Sequence, residues 1–166
     1  GYHTVDPPWA NAQDTPFRKY KRWDHEGGIS TPLIAYWPKV IEPDTMTDQL
    51  GHIIDLMPTC RDLAGAEYPK TYQGHQVDPE QGKSLVPVFQ GKEREGHDAL
   101  YWQFGDTKAV RQGEWKLVQG KGEHWELYNI AEDRTELHDL ADQQPERAEQ
   151  MRALWKDWAE ENGVKT

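Results

Sequence analysis

Cysteine is almost absent: Cys60 is the only one in 166 residues. A single cysteine excludes an intrachain disulfide and any metal site built on several cysteines. The dinucleotide-binding G-x-G-x-x-G, the phosphate-binding loop, the H-E-x-x-H zinc motif and the EF-hand pattern are also missing, which excludes those classes of site. The segment around Cys60, Met57–Leu63, has a helical apolar pattern. This context predicts a buried, inert thiol rather than a nucleophile.

Long apolar runs are missing too, and none approaches the 18 residues that span a bilayer. The formal net charge of -10 and the pI of about 5.1 disfavour nucleic acid and anionic membranes as partners. Hydrophobic residues make up 36 % and the mean hydropathy is -0.98, low for a self-contained domain. Eight Trp and seven Tyr nevertheless exclude a disordered acidic tail. We therefore expect a folded piece of a larger protein, whose natural N-terminus lies upstream of Gly1.

The first half of the chain predicts few regular elements. Residues 1–16, punctuated by prolines, predict a loop. The continuous apolar run Leu33–Trp37 predicts a strand buried on both faces of a mixed sheet. Asp55 as an N-cap, with a proline in the first turn, predicts a helix over about 56–64. Residues 66–82 predict a surface connection, and residues 84–91 a short helix with a turn.

The second half predicts a different architecture. Residues 99–102, 108–111, 115–118 and 125–128 are strand candidates, with glycine-containing turns between them. They predict a small antiparallel sheet. A helix is predicted from Pro145, and its apolar stripe should pack on that sheet; the stripe consists of Met151, Leu154, Trp155 and Trp158. We therefore expect two domains, residues 1–92 and residues 93–166.

A basic cluster stands out against the negative net charge. Arg18, Lys19, Lys21 and Arg22 place four positive charges within five residues, just before a Glu-Gly-Gly turn and the predicted buried strand. Ligand sites favour loops that border sheet strands, and a compact ammonium pairs well with a tetrahedral oxyanion. A solvated basic loop explains the spacing equally well. The seven histidines have no ligand-like spacing, so no metal site is predicted within the chain.

Four segments, in family order, resemble the arylsulfatase-like type I sulfatases. Lys21–Pro38 is similar to their K-x4-E-G-G-x3-P-x4-W-P segment, and Asp55–Gly65 to D-x2-P-T-x2-D-L-A-G. Ala109–Leu117 is similar to A-V-R-x-G-x-W-K-L. Glu126–Ala141 resembles the E-L-Y signature that precedes the final helix. The resemblance covers nearly the whole chain and identifies it as the C-terminal portion of a sulfatase.

The resemblance implies an α/β, alkaline-phosphatase-like fold. This chain would hold the last part of a large mixed sheet, a small four-stranded antiparallel sheet and a C-terminal helix. Formylglycine would supply the nucleophile and Ca²⁺ would polarise the sulfate. In the family both are held upstream of this chain, and Cys60 does not fit the modification motif because Asp62 and Ala64 follow it.

Lys21 is the one catalytic position that the resemblance carries onto this chain, five residues before Glu26. Its ammonium is implied to contact a sulfate oxygen and the ester oxygen. His25 is a candidate substrate-binding residue, although packing is the favoured role. Glu26 is expected to cap the glycine turn. Phe104 stands where we expect a histidine, which predicts a different leaving group.

The resemblance predicts a sulfuric ester hydrolase that acts on an aryl or carbohydrate sulfate, periplasmic or secreted, and inactive as this chain alone. Two alternatives stay open. One is a phosphomonoester or phosphonate ester hydrolase of the same superfamily, and the other is a non-catalytic Trp-rich binding domain. The uncovered apolar face of Leu33–Trp37 further predicts self-association or packing on the missing N-terminal part.

Overall fold

The computed structural model describes residues 5–164, so the loop predicted for residues 1–4 lies outside the described range. The described residues form two compact units, one from residues 5–32 with 98–164 and the other from residues 33–97. The division predicted after residue 92 concerns the domains of the whole protein and stays a prediction. No helix among the described residues is both long and apolar enough to cross a bilayer.

The first unit is built on the predicted antiparallel sheet, which the structure confirms. Its four strands pair in sequence order. Gly113, in the turn between the second and third of them, has φ +58°, a conformation that side chains disfavour. The strands are β3 (Leu100–Phe104), β4 (Thr107–Gln112), β5 (Trp115–Gln119) and β6 (Trp125–Asn129).

One face of this sheet packs on the terminal helix α5 (Pro145–Glu161), as predicted. Val110, Leu117 and Leu127 lie side by side in register across β4, β5 and β6 and are fully buried. Met151 and Trp155 of α5 are buried against them. Because side chains alternate across a strand, the opposite face presents Lys116, Glu126 and Tyr128.

Two short helices precede the sheet in this unit: α1 (Pro7–Gln13) and α2 (Glu26–Ile29). The loop prediction for residues 5–16 is wrong where α1 forms. Its prolines occupy the first helical turn, where a missing N–H removes no helical hydrogen bond. Helix α2 is a single turn at the predicted Glu-Gly-Gly turn.

The second unit contains the predicted helices α3 (Leu56–Leu63) and α4 (Val86–Phe89), joined by a small hairpin of β1 (Thr71–Tyr72) and β2 (His75–Gln76). The hairpin lies in the predicted surface connection. Asp55 occupies the N-cap position of α3, but its side chain does not cap the helix. It instead accepts from the amide N of Lys83 at 2.8 Å and binds Arg94 at 2.8 Å and His97 at 2.7 Å. Burial alone would raise the pKa of Asp55, but the hydrogen bonds to its carboxylate, that from Lys83 first, lower it.

Two predictions for this unit are wrong. Residues 33–37 form no strand, because a strand needs a hydrogen-bonded neighbour and none of the described residues provides one there. Leu33, Ile34 and Tyr36 are consequently exposed. Cys60 is exposed rather than buried, since α3 buries only Pro58 and Thr59.

Candidate functional site

Lys21 lies at the tip of a β-turn. The amide N of Trp23 donates to the carbonyl oxygen of Tyr20 at 3.2 Å, which places Lys21 and Arg22 in the two central positions. Arg22 has φ +90°, close to the value that a type II turn requires at its third residue. Both side chains are exposed, and neither has a hydrogen bond or ion pair with another residue between 5 and 164.

Within the described range, the basic cluster therefore divides into two cations that have partners and two that have none. Arg18 Nη1 donates to the Tyr128 hydroxyl and to the Glu136 carbonyl oxygen, each at 2.8 Å. Lys19 Nζ lies 3.3 Å from Glu123 and 4.0 Å from the centre of the Trp23 ring. Arg18 and Lys19 hold the segment on the sheet, and Lys21 and Arg22 remain available to a ligand.

The Glu-Gly-Gly sequence fits this turn closely. A Cβ at Gly28 would overlap the carbonyl oxygen of Trp23 and lie 2.9 Å from that of Tyr20, the two residues that close the β-turn. A Cβ at Gly27 would overlap the carbonyl oxygen of Arg18. Glycine is required at both positions because α2 packs backbone to backbone against the segment that presents Lys21.

Glu26 joins that helical turn to the sheet through a buried ion cluster. Lys116 Nζ, fully buried on β5, lies 2.9 Å from Glu26 Oε1 and 2.8 Å from Glu136 Oε1. The amide N of Glu26 donates to Glu136 Oε2 at 2.8 Å. Burial alone would raise the pKa of Glu26, but the charge and hydrogen bond of Lys116 lower it. The expected capping role of Glu26 is wrong: its carboxylate pairs with Lys116 and does not cap the glycine turn.

His25 is fully buried beside this cluster. Its Nε2 lies 2.8 Å from Glu126 Oε2, and because an ionised carboxylate can only accept, Nε2 donates. Its Nδ1 is buried without a hydrogen-bond partner among residues 5–164. This burial favours the packing role, and the substrate-binding role of His25 stays a prediction. Phe104, by contrast, is exposed at the end of β3.

Glu126 is the most strongly perturbed carboxyl group in the described site. Burial would raise its pKa, but the hydrogen bond from His25 and the charge of Arg18 outweigh burial and lower the pKa to about 2. Burial also raises the pKa of the neighbouring Tyr128 hydroxyl, which therefore stays protonated and accepts from Arg18 through its oxygen.

We expect the carboxyl ¹³C resonance of Glu126 to stay at its ionised position as the pH falls from 6 to about 3.5, whereas in urea it titrates near the ordinary pKa of 4.5. A group with a lowered folded pKa stabilises the fold fully above the unfolded pKa and loses that contribution between pH 4.5 and about 2. The contribution is about 3 kcal/mol, at 1.36 kcal/mol for each pKa unit. A midpoint near 4.5 in the folded chain would contradict this.

One group of side chains has the composition of a metal site. Ligand atoms of His25, Glu123 and Glu126 lie within 4.8 Å of one another. Lys19 and Arg18 already pair with the two carboxylates, at 3.3 and 3.7 Å. These cations balance the acidic charge that would attract a metal ion.

Sequence reasoning named Lys21, whose catalytic role stays a prediction, and did not single out the buried Lys116 and Glu136. Lys116 stands between Trp115 and Leu117 in a strand, where alternation indicates a solvent-facing residue. Glu136 lies in an irregular segment with φ +56°. The one available signal was that each belongs to a segment resembling a family motif.

Comparisons with known proteins bear on the whole chain. The family model described as N-sulphoglucosamine sulphohydrolase, C-terminal, matches residues 17–162. An uncharacterized sulfatase of Schizosaccharomyces pombe is 32 % identical over 96 % of this chain and 30 % of its own length. The N-acetylgalactosamine-6-sulfatase of Canis lupus familiaris is 30 % identical over 70 % of this chain and 21 % of its own length.

A solved structure from Bacteroides thetaiotaomicron, described with the metabolism of multiple glycosaminoglycans, superposes with a TM-score of 0.67 at 21 % identity. The superposition covers 85 % of this chain and 31 % of that one. The chain thus spans less than a third of each of these three proteins.

Proposed function

Because the chain belongs to the sulfatase family, matching its C-terminal region, we propose that the complete protein is a sulfuric ester hydrolase to which this chain contributes Lys21. The predicted α/β, alkaline-phosphatase-like fold is confirmed by the structural likeness. The observation that carries the proposal is the exposed ammonium at the tip of a fixed turn, which pairs with no residue between 5 and 164.

The role of Lys21 follows from charge. When a sulfate ester is hydrolysed, the S–O bond to the leaving group breaks and its electron pair stays on the ester oxygen. An ammonium beside that oxygen offsets the developing negative charge, and a donor of this kind contributes more in the transition state than in the ground state. The net negative charge of the chain would repel an anionic ester, so a local cation is needed to hold it.

The substrate class is proposed from the family as well. The relative from Canis lupus familiaris is named for a sulfated amino sugar, and so is the matching family model. We infer that this protein acts on a carbohydrate sulfate and is periplasmic or secreted. Phe104, which is exposed and stands where the resemblance leads us to expect a histidine, is proposed to go with a different leaving group.

The complete protein is further proposed to carry Ca²⁺ and formylglycine. When bound, Ca²⁺ would polarise the sulfate. It takes six to eight oxygen ligands, whereas the cluster of His25, Glu123 and Glu126 offers one nitrogen and two carboxylates already paired with cations. That cluster does not fit calcium, and the chain's own contribution to hydrolysis is that of Lys21.

An assay of two proteins tests the proposed function. The complete polypeptide, with its upstream part, should release sulfate from 4-nitrophenyl sulfate and from a sulfated amino sugar, and the 166-residue chain alone should release none. Faster turnover of 4-nitrophenyl phosphate or of a phosphonate ester would favour the alternative hydrolase. Turnover by the 166-residue chain, or none by either protein, would contradict the proposal.

We also propose that the exposed apolar run Leu33–Trp37 packs against the part of the protein outside this chain, with Ile34 and Tyr36 each 90 % exposed. Alone, the 166-residue chain should therefore self-associate at micromolar concentration, as measured by light scattering. The double variant Ile34→Lys, Tyr36→Ser should shift it toward the monomer. A monodisperse unmodified chain would count against the proposal.

A further inference from the structure

Lys21 is held in place from a distance. We propose that the buried cluster of Glu26, Lys116 and Glu136 is the positioning device for the Lys21 ammonium, an inference that rests on the proposed function. None of the three reaches the surface beside Lys21, since all are buried. They act through the backbone between them and the β-turn.

Glu136 fastens both ends of the segment that carries Lys21. Its carbonyl oxygen accepts from Arg18, three residues before Lys21, and its carboxylate accepts from the amide N of Glu26, five residues after it. The two ends also meet directly, because the amide N of Gly27 donates to the carbonyl oxygen of Arg18 at 3.2 Å. The segment is a closed loop with Lys21 opposite the closure.

Lys116 determines where Glu136 and Glu26 lie. Its ammonium is the one cation within ion-pair distance of Glu136 among the described residues, and it contacts Glu26 in the same pocket of the sheet face. Without Lys116 the buried carboxylate of Glu136 would lack a cation and would repel that of Glu26, so the two would move apart. Arg134 also lies 3.4 Å from Glu26 Oε2 but is half exposed, so Lys116 is the buried charge that joins Glu26, and with it α2, to Glu136.

A displacement of α2 would be transmitted to the β-turn through Gly28. Because Gly28 packs against the carbonyl groups of both Tyr20 and Trp23, α2 cannot shift without moving the two residues that close the β-turn. Lys19 and Arg22, on either side of Lys21, have φ +67° and +90°, conformations that persist only when surrounding contacts hold them. A loosened α2 would release them.

A double-mutant cycle in the complete protein tests this inference, with kcat/KM for 4-nitrophenyl sulfate as the readout. Lys116→Met should lower kcat/KM by about 100-fold, since a misplacement of about 1 Å costs that much. In the Lys21→Met background the same substitution should lower it less than about threefold, because the group it positions is gone. Gly28→Ala, which alters no charge, should likewise lower kcat/KM strongly in the unmodified protein and only weakly in the Lys21→Met background.

The matched control is Lys121→Met, which removes an exposed ion pair with Asp106 on the same unit and should leave kcat/KM unchanged. If thermal unfolding shows that Lys116→Met does not fold, Glu136→Gln replaces it in the cycle, because its amide oxygen can still accept from the Glu26 amide. Losses that multiply in the double variants would overturn the positioning role while leaving the proposed function intact. An unchanged kcat/KM in Lys21→Met alone would overturn the proposed function itself.

Discussion

Replacing Lys21 by methionine in the complete protein should lower kcat for sulfate ester hydrolysis by about 100- to 1000-fold, the usual cost of losing a transition-state donor. The reason is that methionine keeps the length of the side chain and removes the charge opposite the breaking S–O bond. KM should change less than kcat, because the interaction strengthens as charge develops on the ester oxygen. Steady-state kinetics with 4-nitrophenyl sulfate measure both constants.

Arg22→Met is the matched control, since it removes a second exposed cation from the same β-turn, one that also has no partner in the described part of the chain. If Lys21 contacts the reacting atoms, Arg22→Met should change kcat less than about threefold. Equal losses in the two variants would mean that the turn only attracts anions through its overall charge. The assignment of Lys21, which comes from a family resemblance, would then be wrong.

The elements that were predicted correctly are determined by residues close to each other in the sequence. The four strands of the sheet were predicted within two residues at each end, because alternating apolar residues and glycine turns determine them over a few positions. Helix α5 was predicted from its first-turn proline and from the spacing of Met151 and Trp155.

The predictions that were wrong concern features that depend on more than the local sequence pattern. The run Leu33–Trp37 has the composition of a buried strand, but a strand forms only beside a partner, and none of residues 5–164 pairs with it. The exposure of Cys60 depends on which face of α3 is covered. In α1, adjacent prolines indicated a loop, whereas the first helical turn accepts them.

The same distinction between local and non-local causes applies to the residues of the candidate site. Lys21 could be named from the resemblance of its own segment, and its role stays a prediction. Lys116 could not, because its partners Glu26 and Glu136 lie 90 residues before it and 20 after it, and only the folded sheet brings them together. Three of the four family-like segments meet in this cluster and its neighbours, which gives a physical reason for their polar residues.

Lys116→Met in the 166-residue chain should lower the free energy of unfolding by about 3–5 kcal/mol at pH 7. The reason is that the buried Glu136 loses its cation and Glu26 keeps only the half-exposed Arg134, at 3.4 Å. The Glu136 side chain is fully buried and that of Glu26 is 4 % exposed, so water cannot replace the ammonium. Urea unfolding followed by the fluorescence of the eight Trp measures the change. Lys121→Met, which removes an exposed pair, should cost less than about 0.5 kcal/mol.

The loss of unfolding free energy in Lys116→Met should depend on pH, and this dependence identifies its cause. In the unmodified chain Lys116 lowers the pKa of Glu26, so the pair stabilises the fold at neutral pH and loses this contribution as the pH falls through the lowered pKa. In Lys116→Met the largest cause that lowers the pKa of Glu26 is gone, so that burial raises this pKa and protonation of Glu26 relieves the repulsion at a higher pH. The difference between the two proteins should therefore be largest near pH 7 and shrink toward pH 4. A stability difference that stays constant with pH would indicate that the cost comes from lost packing of the lysine stem rather than from unpaired charge. In that case neutralising both carboxylates would not help: the triple variant Glu26→Gln, Lys116→Met, Glu136→Gln would be no more stable than Lys116→Met alone.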